Sequence, residues 1–356
     1  MAVIVLGMHR GGTSATTRLV NLLGVPLGDV DDRMQPHEEN PRGYWESATL
    51  TAFNDELLET LGGHWTAPAA FPGGREAELR LGGHRERAVE ALRAVYSTSR
   101  WVWKDPRLCI TLPFWLTVFE RPPVFVLPLR NPLEIAASLA ARRGFSRLYS
   151  LALWERYVRS ALENADGHAA FVVRFVDLLH DRPRCMQELQ EFLVRHDAIE
   201  GPAAPEAVIA AEVDAKLRHH VRAPSAMHEE RGASQQQKDL HEILERLCGT
   251  HERLSVRELP EETPWAAELI EERRERWQRE RREAAAAEND RRRIESLERD
   301  LSRSAEQLGR LSTLLRARDD LIRAQESRLD RFRLSWGGRL LRWLVPPPLR
   351  RRNDVG

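Results

Sequence analysis

The chain has 356 residues, 42% of them hydrophobic, which is enough to bury one full core and leave an appendage over. Its 54 basic and 54 acidic residues cancel, so no global field draws it to nucleic acid or membrane. Three widely spaced cysteines, Cys109, Cys185 and Cys248, form no C-x-x-C pair; this argues against a zinc site or a disulfide framework and fits a reducing compartment.

The first predicted strand is AVIVL, residues 2–6, too short for a signal peptide and without a basic leader. No stretch reaches the ~18 apolar residues of a membrane helix. The expectation is a cytoplasmic protein, soluble or peripheral on the inner membrane. A turn, GMHRGG, leads to a helix from Thr13 to about Leu23, stopped by Gly24-Val25-Pro26. Residues 27–50 read as a polar loop, 48–61 as a helix, and the glycine- and proline-rich 62–84 as a surface excursion. A helix over 84–97 precedes a second strand, WVWK at 101–104, which Pro106 breaks. PVFVLPLR, 123–130, is a short, nearly continuous apolar run of the kind buried parallel strands show. Helices over 131–143 and 147–164, a strand over 169–175 and a helix over 183–195 follow. This alternation predicts an α/β fold with a parallel sheet and right-handed crossovers.

Pro260-Glu-Glu-Thr-Pro264 marks a boundary, giving a domain over 1–258, a linker over 259–269, a helical segment over 270–332 and a basic tail over 333–356. In the helical segment Ile294, Leu301, Leu308, Leu315, Ile322 and Leu329 are seven residues apart. The positions three further on, Leu297, Ser304, Leu311, Arg318, Gln325 and Phe332, are less regular. An unbroken a-series predicts a coiled coil and a homo-oligomer; the alternative is a single solvated helix packing back on the domain.

Gly7-Met8-His9-Arg10-Gly11-Gly12-Thr13-Ser14 follows a strand and opens a helix. It keeps Walker A spacing, but Thr13 stands where the lysine belongs and the cation comes three residues earlier, at Arg10. Glycines at these positions let backbone N–H groups form an anion-holding nest at a helix N-terminus. The missing lysine disfavours a nucleoside triphosphate.

R-G-G-T-S resembles the 5′-phosphosulfate loop of sulfotransferases that use 3′-phosphoadenosine 5′-phosphosulfate (PAPS). A second segment, Leu127-Pro-Leu-Arg130-Asn-Pro-Leu-Glu-Ile-Ala-Ala-Ser138, is similar to that family's 3′-phosphate segment. A third, Phe171 through Asp177 and Asp181 to Pro183, with Phe192-Leu193 beyond, resembles its E-D-L and D-P fold markers, with Val176 where an acid is usual. The resemblance spans roughly residues 5–193 and implies a P-loop-like three-layer domain. It also implies donor binding by Gly11, Gly12, Thr13 and Ser14 at the 5′-phosphate, by Arg10 at the sulfuryl group, and by Arg130 and Ser138 at the 3′-phosphate.

Sulfuryl transfer needs in-line alignment, cations at the leaving oxygen and a base for the acceptor hydroxyl. Only three basic residues are lysines, Lys104, Lys216 and Lys238, so one ending a strand beside the first calls for a reason. Lys104 is the expected second catalytic cation, a point charge where an arginine would fork. Some sulfotransferases carry a histidine base two residues after such a lysine; here that position is Pro106. Others use a glutamate after the first helix, and Glu46 in Gly43-Tyr-Trp-Glu46 is favoured over His37, Glu38 and Glu39; it is also placed to N-cap the helix at 48. No metal is called for.

The stretch 331–352, which runs into the tail, holds seven arginines and no acid, interleaved with Trp336 and Trp343. It reads either as an interfacial helix for anionic lipid or as a cap on the coiled coil. It resembles the endings of bacterial surface-polysaccharide glycosyltransferases, which implies a carbohydrate or glycolipid acceptor. Two other readings stay open: a P-loop small-molecule kinase, and a non-catalytic coiled-coil scaffold of a polysaccharide assembly.

Overall fold

The computed structural model describes residues 1–35, 43–212, 221–223, 225–335 and 340. Strand β1 (Ala2–Val5) leads through the glycine turn into α1 (Thr13–Leu22), then α2 (Ala48–Thr60), α3 (Gly74–Leu81), a 3₁₀ turn and α4 (Arg85–Val95). Next come β2 (Trp101–Lys104), α5 (Leu108–Leu116), β3 (Val124–Leu129), α6 (Pro132–Arg143), α7 (Arg147–Ala165) and β4 (Ala170–Arg174). The remainder is α8 (Phe175–His180), α9 (Arg182–Arg195), α10 (Glu206–Glu212), α11 (Ala226–Glu229), α12 (Gln235–Arg246), β5 (Gly249–His251) and α13 (Pro264–Leu334).

The five strands lie in the order β2-β1-β3-β4-β5. The first four run parallel, with Val3 opposite Val102 on one side and Val124 on the other; β5 closes the edge antiparallel. Strand side chains alternate between faces, so β1 supplies both layers. Ile4 and Leu6 join Trp103, Phe125 and Leu127 under α2, α4, α5 and α7. Val3 and Val5 join Val102, Val126 and Phe171 under α1 and α9. This is a three-layer α/β domain. Because β2 and β3 flank β1 on opposite sides, the connections diverge there and open a crevice at the strand C-termini.

Besides α8, α10, α11, α12 and β5, for which no element was expected, two segments differ from the sequence expectation. The stretch over 62–84 is not an irregular excursion throughout, because Pro72 and Gly73 precede a helix that Gly74 opens. Within α3, Leu81 reaches the core at 2% exposure. After Pro106 the chain goes into α5, LCITLPFWL, which is buried nearly all round and so carries no amphipathic period to read.

Thr263 and Pro264 start α13, proline at the first position having no N–H to lose. By internal contacts the chain divides at Glu280/Arg281, so the first turns of α13 belong to the α/β unit. There Ala266 and Ile270 are buried, and Gln278 Nε2 donates to the Gly62 carbonyl at 2.6 Å. In the second unit the heptad residues Ile294, Leu301, Leu308, Leu315, Ile322 and Leu329 are all exposed. No helix among the described residues is long and apolar enough to cross a membrane. Most of the basic tail, Trp336 and Trp343 included, lies outside the described residues, as do His37, Glu38, Glu39 and Lys216.

Candidate active site

The turn after β1 is held by Gly11 N–H donating to the Met8 carbonyl at 2.9 Å. Arg10 and Gly12 both sit in the left-handed region, φ 69° and 91°, an alternation of the kind that gathers N–H groups into an anion-holding nest. At Gly12 the requirement is double, since a Cβ would lie 2.4 Å from Phe175 Cδ2. Gly12 also caps α1 with no side-chain bond to its first turn, and that turn holds no acid. The helix thus begins with donors and a partial positive charge directed at the crevice.

Two of the predicted donor residues meet around Arg10. Its Nε donates to Ser138 Oγ at 3.0 Å, and Arg130 Nη1 donates to its carbonyl at 3.0 Å. Arg130 is fixed from behind by Glu134, whose Oε2 accepts from its Nε at 3.0 Å, while its guanidinium lies 5.4 Å from the Phe175 ring. Fully buried Glu134 spends its other oxygen on Arg222 N–H, at 3.0 Å. Asn131 caps α6 through Leu133 N–H and starts the helix that carries Glu134 and Ser138. Arg130 therefore has an internal counter-charge, as an arginine this enclosed requires.

Lys104 ends β2 with its side chain 2% exposed. Its Nζ donates to Ser14 Oγ at 3.2 Å and is ion-paired with Glu46 Oε1. Ser14 Oγ in turn reaches the Tyr44 carbonyl at 3.3 Å. Burial raises the Glu46 pKa above its ordinary value, against the opposing pull of the Lys104 ammonium and with a further push from Asp105. The N-cap of α2 is Ser47, accepting from Leu50 N–H at 3.0 Å, so Glu46 does not cap that helix. Thr13 is buried beneath the loop. The structure thus brings Arg10, Ser14, Arg130, Ser138, Lys104 and Glu46 to the strand C-termini around the Gly11-Gly12 turn.

Sequence reasoning missed the residues that brace them. Asp105, wholly buried, accepts from Asn54 Nδ2 at 2.8 Å and from the Arg107 backbone N–H at 2.9 Å. Arg107 grips Asp55 with two bonds, 2.6 and 3.1 Å. Asn54 Oδ1 accepts from Thr111 Oγ1 and Trp115 Nε1, both at 2.8 Å. The signal was the K-D-P-R run itself, charged residues packed against an apolar strand end. His9 was also passed over. Its ring lies 4.6 Å from Trp65 and 5.8 Å from Tyr157, and its Nε2 is buried without a hydrogen-bond partner among the described residues. Burial first, then Arg107, Lys104, Arg10 and Arg143, hold its pKa well below the usual imidazole range, so it is neutral at pH 7. No cluster of metal-ligating side chains occurs among the described residues.

No protein-family model matches the chain. No curated protein matches its sequence. Among solved structures it is similar to the sulfotransferase domain from the curacin biosynthetic pathway, at 11% identity and a TM-score of 0.38, over 68% of this chain and 96% of that one. It is also similar to the sulfotransferase domain of the Synechococcus PCC 7002 olefin synthase, at 12% identity and a TM-score of 0.35, over 76% of this chain and 94% of that one. Both likenesses are too distant to carry chemistry, which rests on the side chains described above.

Proposed function

We propose that the chain is a sulfotransferase that moves the sulfuryl group of PAPS to an acceptor hydroxyl. The observation that carries this reading is the convergence of Arg10, Arg130 and Ser138 at a helix N-terminus that has no side-chain cap, with Lys104 donating to Ser14 Oγ in its first turn. In this reading the 5′-phosphate lies on the turn from Gly11 to Ser14, and Arg130 and Ser138 face the 3′-phosphate. Arg10 and Lys104 take up charge on the bridging oxygen as the S–O bond to phosphate breaks. The acceptor oxygen forms the new O–S bond, its proton passes to Glu46, and adenosine 3′,5′-bisphosphate leaves. The acceptor we propose is a carbohydrate or glycolipid alcohol, on the strength of the tail's resemblance.

The test is calorimetric titration with adenosine 3′,5′-bisphosphate, run beside magnesium-ATP. Expected are tight bisphosphate binding and its loss in Arg130→Ala. Magnesium-ATP binding without bisphosphate affinity would promote the kinase, and binding of neither would promote the scaffold.

A further inference from the structure

Lys104 and Glu46 form an ion pair whose side chains are 2% and 8% exposed. An ammonium that enclosed is costly without a counter-charge. Glu46 supplies it beside Ser14 Oγ, in the first turn of the helix whose backbone donors point at the crevice. An anion arriving at that turn would put a second negative group on the same ammonium, in surroundings that screen poorly.

The segment carrying Glu46 is strained at Trp45, next to a glycine turn that carries no such cost. Gly43 and Trp45 both lie in the left-handed region, φ 90° and 56°, a costly place for an indole-bearing residue. Contacts besides the ion pair keep it there, among them the pairing of Ser47 with Arg33 and the Ser47 hydroxyl on Asp32. Arg18 lies 4.9 Å over the Trp45 ring, the Tyr44 carbonyl meets Ser14 Oγ at 3.3 Å, and the Glu46 carbonyl accepts from Met34 N–H at 2.9 Å. Two of these contacts end on residues of α1, and loss of the pair would leave the strain with less to oppose it.

We propose that Glu46 is an internal competitor for the donor: its carboxylate occupies Lys104 until an anionic group displaces it and frees the 43–47 segment. This rests on the sulfotransferase reading for the identity of the donor, though not for the competition itself. Displacement hands Lys104 to the donor and releases the same carboxylate to face the acceptor, so a base is exposed only when there is something to transfer. A permanent structural pair would instead persist with the anion bound. A protein held in a binding-incompetent form shows an affinity reduced by its competent fraction.

The experiment is titration of the full chain with inorganic sulfate and with adenosine 3′,5′-bisphosphate, in wild type, Glu46→Gln and Glu46→Asp. Glu46→Asp keeps the charge and withdraws it by one methylene, which separates loss of the contact from a change of field. Melting temperatures report whether each variant folds, and the charge-conserving one stays informative if Glu46→Gln does not. Expected are sulfate affinities tighter by roughly tenfold in both variants, with faster amide exchange over 43–47 when wild type is saturated with sulfate. Wild-type affinity in Glu46→Asp, sulfate binding by none of the three, or unchanged exchange over 43–47 would overturn the competition. Tighter sulfate binding in Glu46→Asp with no bisphosphate binding by any form would leave the competition standing and defeat the donor assignment instead.

Discussion

Glu46 is asked to do two things at one atom, and they predict opposite changes in binding and in rate. Removing its charge while keeping its shape, as Glu46→Gln does, should slow PAPS turnover by at least ~100-fold, the scale of a lost general base, even as the donor is held more tightly. Release of adenosine 3′,5′-bisphosphate from PAPS measures this, and undiminished release would remove Glu46 from the chemistry. At this scale the sequence was readable where residue choice was unusual. Lys104 stood out because arginine is the chain's ordinary cation, and Ser138 and Arg130 because a known pattern holds them. His9, Asn54 and Asp105 did not stand out, since each is an ordinary residue whose meaning comes from enclosure. Asn54 matters because Thr111, Trp115 and Asp105 all converge on it from elsewhere in the chain. Spacing along a sequence cannot express that.

The turn between β1 and α1 is the element on which the proposal depends, and Gly12 is its least replaceable residue. Gly12→Ala would place a methyl group 2.4 Å from Phe175 Cδ2 and force alanine into φ 91°. Backbone strain of that kind costs about 1–3 kcal/mol, and relief by moving the turn would splay the N–H groups from their common concavity. The expected outcome is a lower melting temperature with bisphosphate affinity at least ~10-fold weaker, since a hydrogen bond to a charged group is worth about 1.5–3 kcal/mol and tenfold is about 1.4 kcal/mol. Calorimetry on the folded variant checks it, and full affinity would mean the turn does not hold the anion. The strands and the helices following β1 and β3 were legible because buried parallel strands are short apolar runs bounded by turn residues. The helix α5 was not, because a helix buried all round has no polar face, and Pro106 before it reads as a stop. β5 was missed as well: three residues, Gly249–His251, half-exposed at a sheet edge, carry too little pattern to mark a strand.

At the scale of the whole chain, the unexplained feature is the apolar series on α13 beyond Glu280. Ile294, Leu301, Leu308, Leu315, Ile322 and Leu329 are between 43% and 72% exposed. The neighbouring Glu–Arg pairs, such as Arg292 with Glu288 at 3.0 Å, are exposed and contribute little each. They solubilise a helix without accounting for a leucine or isoleucine at every seventh position. Covering such a side chain is worth about 1.5–3 kcal/mol when it becomes fully buried, and six in register would outweigh the cost of association. We propose that this part of α13 pairs copies of the chain, the weaker companion series with Ser304, Arg318 and Gln325 limiting how tightly. Light scattering on the eluting full-length protein should then give a mass above one chain, and Leu308→Asp with Leu315→Asp together should return it to a single chain. Bisphosphate affinity should survive that change, because every donor contact proposed here lies before Glu280. A single-chain mass in wild type at micromolar concentration would leave the series without a second copy to cover it, and the oligomer proposal would fall.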